Sequence, residues 1–118
     1  MDILKAVAED VEQYKRLCKR FNVKKRPEGV YDGHRKELLG RERREEDAMG
    51  KRAAKAFRDH AHEISQIITG ENDDGELVIA VYATSDKSAD GRRLKEALPK
   101  TFEGRQVVVQ TRYGGMPL

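Results

Sequence analysis

The chain carries two hydrophobic patterns, a helical one as far as about residue 69 and a strand-like one after it. Over residues 2–22, apolar and aromatic side chains recur at steps of three and four, which places them on one face of a helix. They are Ile3, Val7, Val11, Tyr14, Cys18 and Phe21. Asn22 and Pro27 mark the end of this predicted helix.

A second helical region is predicted over residues 34–69. Its stretch from Gly40 to Asp47 has no apolar residue, but opposite charges four positions apart, such as Arg41 and Glu45, can stabilise a solvated helix. Beyond this stretch, the helical spacing of apolar residues resumes with Met49, Ala53, Phe57, Ala61, Ile64 and Ile68. Gly40 and Gly50 leave open whether the region is continuous or kinked, and Gly70 is expected to end it.

After Gly75 the hydrophobic period changes. Residues 76–83 form a nearly continuous apolar run of strand length, residues 90–98 a short helix stopped by Pro99, and residues 105–113 a second strand. Two strands joined through a helix permit a parallel crossover. The sequence therefore predicts an α+β fold in which both helical regions pack on this small strand–helix–strand unit. We expect a single domain over 1–118, with a mobile tail at 114–118.

The composition predicts a thin hydrophobic core. Charged residues make up 38% of the 118 residues and hydrophobic ones 37%, whereas ordinary proteins are about one quarter charged. A sheet of two strands also leaves both of its edges unpaired. Both features favour completion of the fold by another molecule, so we expect a homodimer and a protein partner.

The cellular setting follows from features that the sequence lacks. The one cysteine, Cys18, permits no internal disulfide, and it falls on the apolar face of the first helix, where a buried thiol is expected. The first residues do not resemble a secretion signal, and no apolar run is long enough to cross a bilayer. A cytoplasmic protein without membrane contact is the expectation.

The strongest charge feature is a basic segment over residues 15–26, which holds seven cations and no acid. It could bind nucleic acid or an acidic partner through a salt-sensitive field. The alternative is structural, because basic residues near the end of a helix stabilise it by offsetting the helix dipole. Asn22 and Pro27 put the last three basic residues of the segment outside the helix, so this explanation does not cover them. The cations are Lys15, Arg16, Lys19, Arg20, Lys24, Lys25 and Arg26.

Two weaker candidates are a metal site and an anion site. In the segment 59–63, Asp59, His62 and Glu63 include acid and histidine ligands at helical spacing, but HExxH is absent. In the loop between the predicted strand and helix, free N–H groups could bind a small anion with help from nearby hydroxyls and cations. These are Ser85, Lys87, Ser88 and Arg92. Capping of the helix alone also explains the two serines.

No nucleophile, phosphate loop or cofactor motif is complete, so the sequence predicts neither an enzyme nor a cofactor. The preferred interpretation is a non-enzymatic adaptor or regulatory module that acts through protein–protein contacts as a homodimer. One alternative is a nucleic-acid-binding protein that uses residues 15–26. A second is a small metal-dependent enzyme that uses the 59–63 segment. The pattern identifies no family.

Overall fold

The computed structural model describes residues 3–27 and 30–111, with side chains from Ala8 onward. Two helices come first, and a mixed sheet follows, so the predicted α+β class is confirmed. The helices are α1 (Ile3–Phe21), α2 (Tyr31–Ala56) and α3 (Ser88–Ala97), with a 3-10 helix at Arg58–Glu63. The strands are β1 (Ile64–Glu71), β2 (Leu77–Ala83), β3 (Thr101–Phe102) and β4 (Arg105–Gln110).

The chain divides after Glu45 into two compact units, each with its own core. The expectation of one domain over 1–118 stays a prediction. The expected tail at 114–118, and the end of the strand predicted over 105–113, lie outside the described residues.

The first unit is built by α1 and the first half of α2. Tyr14, Leu17 and Cys18 of α1 are buried against Leu38 of α2, and Phe21 packs beside them. Tyr14, Cys18 and Phe21 belong to the predicted face and Leu17 does not, while the side chains of Ile3 and Val7 lie outside the described residues. Asn22 has a positive φ of 51°, and the Val23 N–H donates to the Cys18 carbonyl at 3.0 Å. Helices commonly end with a residue in the left-handed conformation and a following N–H that donates to a carbonyl in the last helical turn. Residues 24–26 therefore follow the helix rather than extend it.

The second unit contains a four-stranded sheet in the order β1-β2-β4-β3. β2 and β4 are parallel and are joined through α3, as the strand–helix–strand pattern predicts, while β1 and β3 pair antiparallel with their neighbours. The buried strand residues all have odd numbers, so one face of the sheet forms the core. That core comprises Ile79, Val81, Ala83, Val107 and Val109, with Met49 and Ala53 from α2, Phe57 directly after α2, Leu94 from α3 and Leu98 directly after α3.

The helix predicted over 34–69 is wrong in its last third. α2 runs through Gly40 and Gly50 without a break but ends at Ala56, and Ile64–Glu71 is a strand. A β-bulge between Ile64 and Gln66 shifts the alternation by one residue, so Ile64 and Ile67 both pack against the core. Ile64 and Ile68 are four residues apart, as on one face of a helix, but in the strand Ile68 lies on the sheet face opposite the core, so the predicted helical stripe is wrong at its end. Gly70 consequently lies within β1 and does not end a helix.

Candidate functional site

The two edges of the sheet differ sharply in how they are protected. β3 has only two residues, and very short edge strands leave little backbone for another chain to pair with. β1 has eight residues, pairs among the described residues with β2 alone, and contains no proline, lysine or arginine. Its bulge distorts only the first residues, and the pairing from Gln66 to Glu71 is regular. β1 is therefore a long edge without the lysine or proline that commonly prevents strand addition, and its single charged residue, Glu71, lies at its end.

The hairpin between β1 and β2 determines which backbone groups of β1 face outward. The Asn72 N–H donates to the Glu76 carbonyl at 2.8 Å, and the Gly75 N–H donates to the Asn72 carbonyl at 3.0 Å. Asn72 and Glu76 are therefore a hydrogen-bonded pair, and such pairs alternate along an antiparallel ladder. In the regular part of β1, even-numbered residues bond to β2. Ile67 and Thr69 turn their N–H and C=O groups away from β2, towards the outer edge of β1.

A groove of about 640 Å³ runs beside this edge. One wall is the exposed side of α2, with Asp47, Gly50, Lys51 and Ala54, and the other is β1 from Ile64 to Thr69. Gly50 and Ala54 lie one helical turn apart on that wall, and because both residues are small the wall projects little into the groove there. The groove is therefore lined on this wall by two small residues, Gly50 and Ala54, and by one acidic and one basic residue, Asp47 and Lys51.

Two interactions of Glu46 hold α2 against the sheet. Its backbone carbonyl accepts a hydrogen bond from Thr69 Oγ1 at 2.9 Å. Its carboxylate accepts two from the Arg105 guanidinium, at 2.6 and 2.8 Å, and these side chains are only 14% and 9% exposed. A bidentate pair of this kind sets both distance and angle. One residue thus ties the groove wall to β1 and to β4.

The sheet face opposite the core also carries apolar side chains. Ile68 is 45% exposed, and the register places it in a row with Ala80 and Val108. Val78 and Tyr82 lie on the same face, and none of these five side chains is buried by the described residues. An added strand beside β1 would thus meet an apolar row on one side and the groove on the other.

The predicted basic segment separates into two sets in the structure. Arg16 and Arg20 both donate to the Glu42 carboxylate, at 2.8 and 2.7 Å, and Lys15 contacts Glu12 at 3.3 Å. The side chains of the second set are exposed, and the side-chain contacts of residues 3–27 and 30–111 give them no ion pair. This second set, the exposed basic cluster, is Lys19, Lys24, Lys25 and Arg26.

The Glu42 carboxylate responds to both arginines. Burial raises the pKa of Glu42, but the hydrogen bonds and charges of Arg16 and Arg20 outweigh this effect and leave the pKa below its ordinary value. Arg20 is only 12% exposed. These two cations are therefore part of the first unit's own structure, which the dipole argument from the sequence did not reveal.

The loop predicted to bind an anion already holds a carboxylate. Ser85 Oγ donates to Asp90 at 2.7 Å and accepts from the Lys87 N–H at 3.1 Å. The Ser85 hydrogen bond, with that of Arg93, lowers the pKa of Asp90. Arg92 turns back to the Ser88 carbonyl at 3.4 Å. An anion arriving at the start of α3 would thus meet the negative charge of Asp90.

The candidate metal ligands lie in the 3-10 helix rather than in an α-helix. Glu63 contacts His60, with 2.9 Å between Oε2 and Nδ1. Within the described part of the chain, no group of three His, Cys, Asp or Glu side chains could hold a metal ion. Asp59, His62 and Glu63 are not brought together there.

Sequence reasoning anticipated an open sheet edge but missed which strand forms it, because β1 was assigned to a helix. The signal present in the sequence was the β-branched content of 64–69, four residues of six. Comparison with models of known families, with curated proteins and with solved structures finds no match. No helix within residues 3–27 and 30–111 is long and apolar enough to span a membrane.

Proposed function

We propose that the protein is a non-enzymatic binding module that accepts a polypeptide strand along the free edge of β1. The observation that carries the proposal is the regular, unprotected edge from Gln66 to Glu71 with a groove of about 640 Å³ beside it. Strand addition at a sheet edge draws its affinity from main-chain hydrogen bonds and its specificity from pockets for alternate side chains. The site supplies both elements.

The bound strand hydrogen-bonds to the outward groups of Ile67 and Thr69. Because its side chains alternate, every second one enters the groove above Gly50 and Ala54. The others lie on the open face beside Ile68. Small apolar residues on the groove side fit best, with charged neighbours directed at Asp47 and Lys51. The reduced interior of a cell suits this module, since Cys18 is a buried, free thiol.

Selection of short peptides from a random display library tests this proposal. The selected peptides should alternate apolar and polar residues, and on binding they should slow amide hydrogen exchange at Ile67 and Thr69. Ile68→Lys should weaken their binding by roughly tenfold or more, because a charge on an edge strand opposes strand addition.

Gln106→Lys is the matched control, since Gln106 is exposed on the same sheet face but lies on β4. It should bind the peptides as the wild type does. Peptides that bind equally well to Ile68→Lys, or that leave the β1 amides unprotected, would show that the edge is not the docking site.

The exposed basic cluster supports polyanion binding, nucleic acid above all, as a second candidate function. Its four cations fall within eight residues and lie outside the ion pairs that hold the first unit together. Non-specific affinity for nucleic acid comes mainly from such contacts with phosphates. No observation favours the metal-dependent enzyme in the same way.

A further inference from the structure

We infer that the strand bound by β1 is β1 of a second copy, paired antiparallel about a two-fold axis at Ile68. The inference rests on the proposed function, since it uses the same edge and names what occupies it. It predicts a homodimer in which two four-stranded sheets join into one sheet of eight strands.

The backbone of β1 matches itself in this register. Ile67 and Thr69 both direct their hydrogen-bonding groups outward, as the hairpin geometry requires. An axis at Ile68 places Ile67 opposite the partner's Thr69, and Thr69 opposite the partner's Ile67. Both become hydrogen-bonded pairs, so the donors and acceptors at the centre of the edge are satisfied on both copies.

The side chains match in the same register. Ile68 meets the partner's Ile68 at a position without main-chain hydrogen bonds, where opposing side chains are closest. Gln66 falls opposite the partner's Gly70. An axis at Thr69 gives a regular overlap of the same length, over residues 67–71, but puts Ile68 opposite the partner's Gly70; an axis at Ile67 runs the overlap into the bulge, and an axis at Glu71 opposes two like charges. Ile68 is therefore the axis that keeps the overlap clear of the bulge and also covers the exposed isoleucine with its own copy.

The charged side chains of the groove in one copy are also complementary to those of the groove in the second copy. Asp47 and Lys51 stand one turn apart on the α2 wall, and the described side chains give neither an ion pair. A copy related by the two-fold axis runs its wall in the reverse direction. This brings Asp47 towards the partner's Lys51 and Lys51 towards the partner's Asp47, so the axis joins opposite charges on both sides.

A cysteine placed on the axis tests the register. Residues opposed at such a position have Cα atoms about 4.5 Å apart, within the range that a disulfide spans. Ile68→Cys should therefore form a covalent dimer rapidly under mild oxidation. The native Cys18 is buried and should contribute little background. Gln106→Cys, exposed on the same face but away from the edge, is the matched control and should remain largely uncrosslinked.

Sedimentation of the full chain measures the assembly itself. The wild type should sediment as a dimer, and Ile68→Lys should raise the dissociation constant by roughly 100-fold, because both copies lose a buried isoleucine. Circular dichroism establishes that this variant is folded. A monomeric wild type, a dimer that Ile68→Lys leaves intact, or equal crosslinking of both cysteine variants would overturn the inference.

Failure of this inference is distinguishable from failure of the proposed function. A monomer whose β1 amides are still protected by displayed peptides would exclude the second copy and retain strand binding. A monomer whose edge also ignores peptides would exclude both.

Discussion

Glu42 shows how a single residue decides which cations of a basic segment are bound within the protein. Its carboxylate accepts hydrogen bonds from Arg16 and Arg20, which are 26 and 22 positions away in the chain. The sequence predicted the concentration of positive charge correctly, but it could not show which cations are bound internally. That division depends on which residues of α2 meet α1, and local spacing carries no such information.

The lowered pKa of Glu42 predicts a pH-dependent stability. Because folding favours the ionised form, the contribution is complete above the ordinary pKa of 4.5 and is lost as the pH falls through the lowered value. We expect Glu42→Gln to reduce the free energy of unfolding by about 1–2 kcal/mol at neutral pH. The difference from the wild type should shrink in acid. Urea unfolding at pH 7 and at pH 3 measures both.

Glu37→Gln is the control for this prediction. Glu37 is exposed on the same helix, and the described residues give it no ion pair. Its substitution should leave stability unchanged at both pH values. An equal loss for Glu42→Gln at neutral and acid pH would mean that its charge is not what stabilises the unit.

At the scale of elements, the sequence predicted α1, β2, α3 and β4, because the spacing of apolar residues or the length of an apolar run indicates one structure for each. β1 fails this condition, since the bulge puts Ile64 and Ile67 on one face at helical spacing. Because β1 was predicted as part of a helix, the position of the candidate site was not predicted either. A bulge is determined by pairing with β2, so the sequence of β1 alone does not reveal it.

The Glu46–Arg105 pair provides a test of how α2 is held on the sheet. Arg105→Met leaves the Glu46 carboxylate largely buried without its cation, and such a loss costs about 3–5 kcal/mol of unfolding free energy. Adding Glu46→Gln removes the stranded charge, so the double variant should recover part of that loss. Urea unfolding of the single and double variants measures the recovery.

Arg52→Met is the comparison for that pair. Arg52 contacts Glu103 at 2.9 Å, but both side chains are well exposed, and solvent screens such a pair. We expect no measurable change in stability. If Arg105→Met were equally harmless, the buried pair would not be what positions the groove wall.

The whole molecule combines two small cores with a large charged surface. Its net charge is only +3, yet its cations are unevenly placed, and its sheet has one short edge and one long free edge. The thin core predicted from composition is consistent with the proposal that another chain completes the sheet. Which surface a partner uses depended on the fold, because a free edge belongs to the sheet and not to any one segment.

Charge placement at this scale gives the last prediction. Neutralising the exposed basic cluster by changing Lys19, Lys24, Lys25 and Arg26 to glutamine should remove any affinity for a labelled mixed-sequence DNA duplex. Arg20 is left unchanged because its loss would disturb the first unit. Four phosphate contacts imply that wild-type affinity falls by roughly 100-fold between 50 and 200 mM salt. Fluorescence anisotropy measures the affinity of both proteins and its dependence on salt.

A control with equal charge loss, in which the exposed Arg43, Lys55, Arg58 and Lys100 become glutamine, should keep the affinity for the duplex. If both variants bind alike, net charge and not this cluster attracts the duplex.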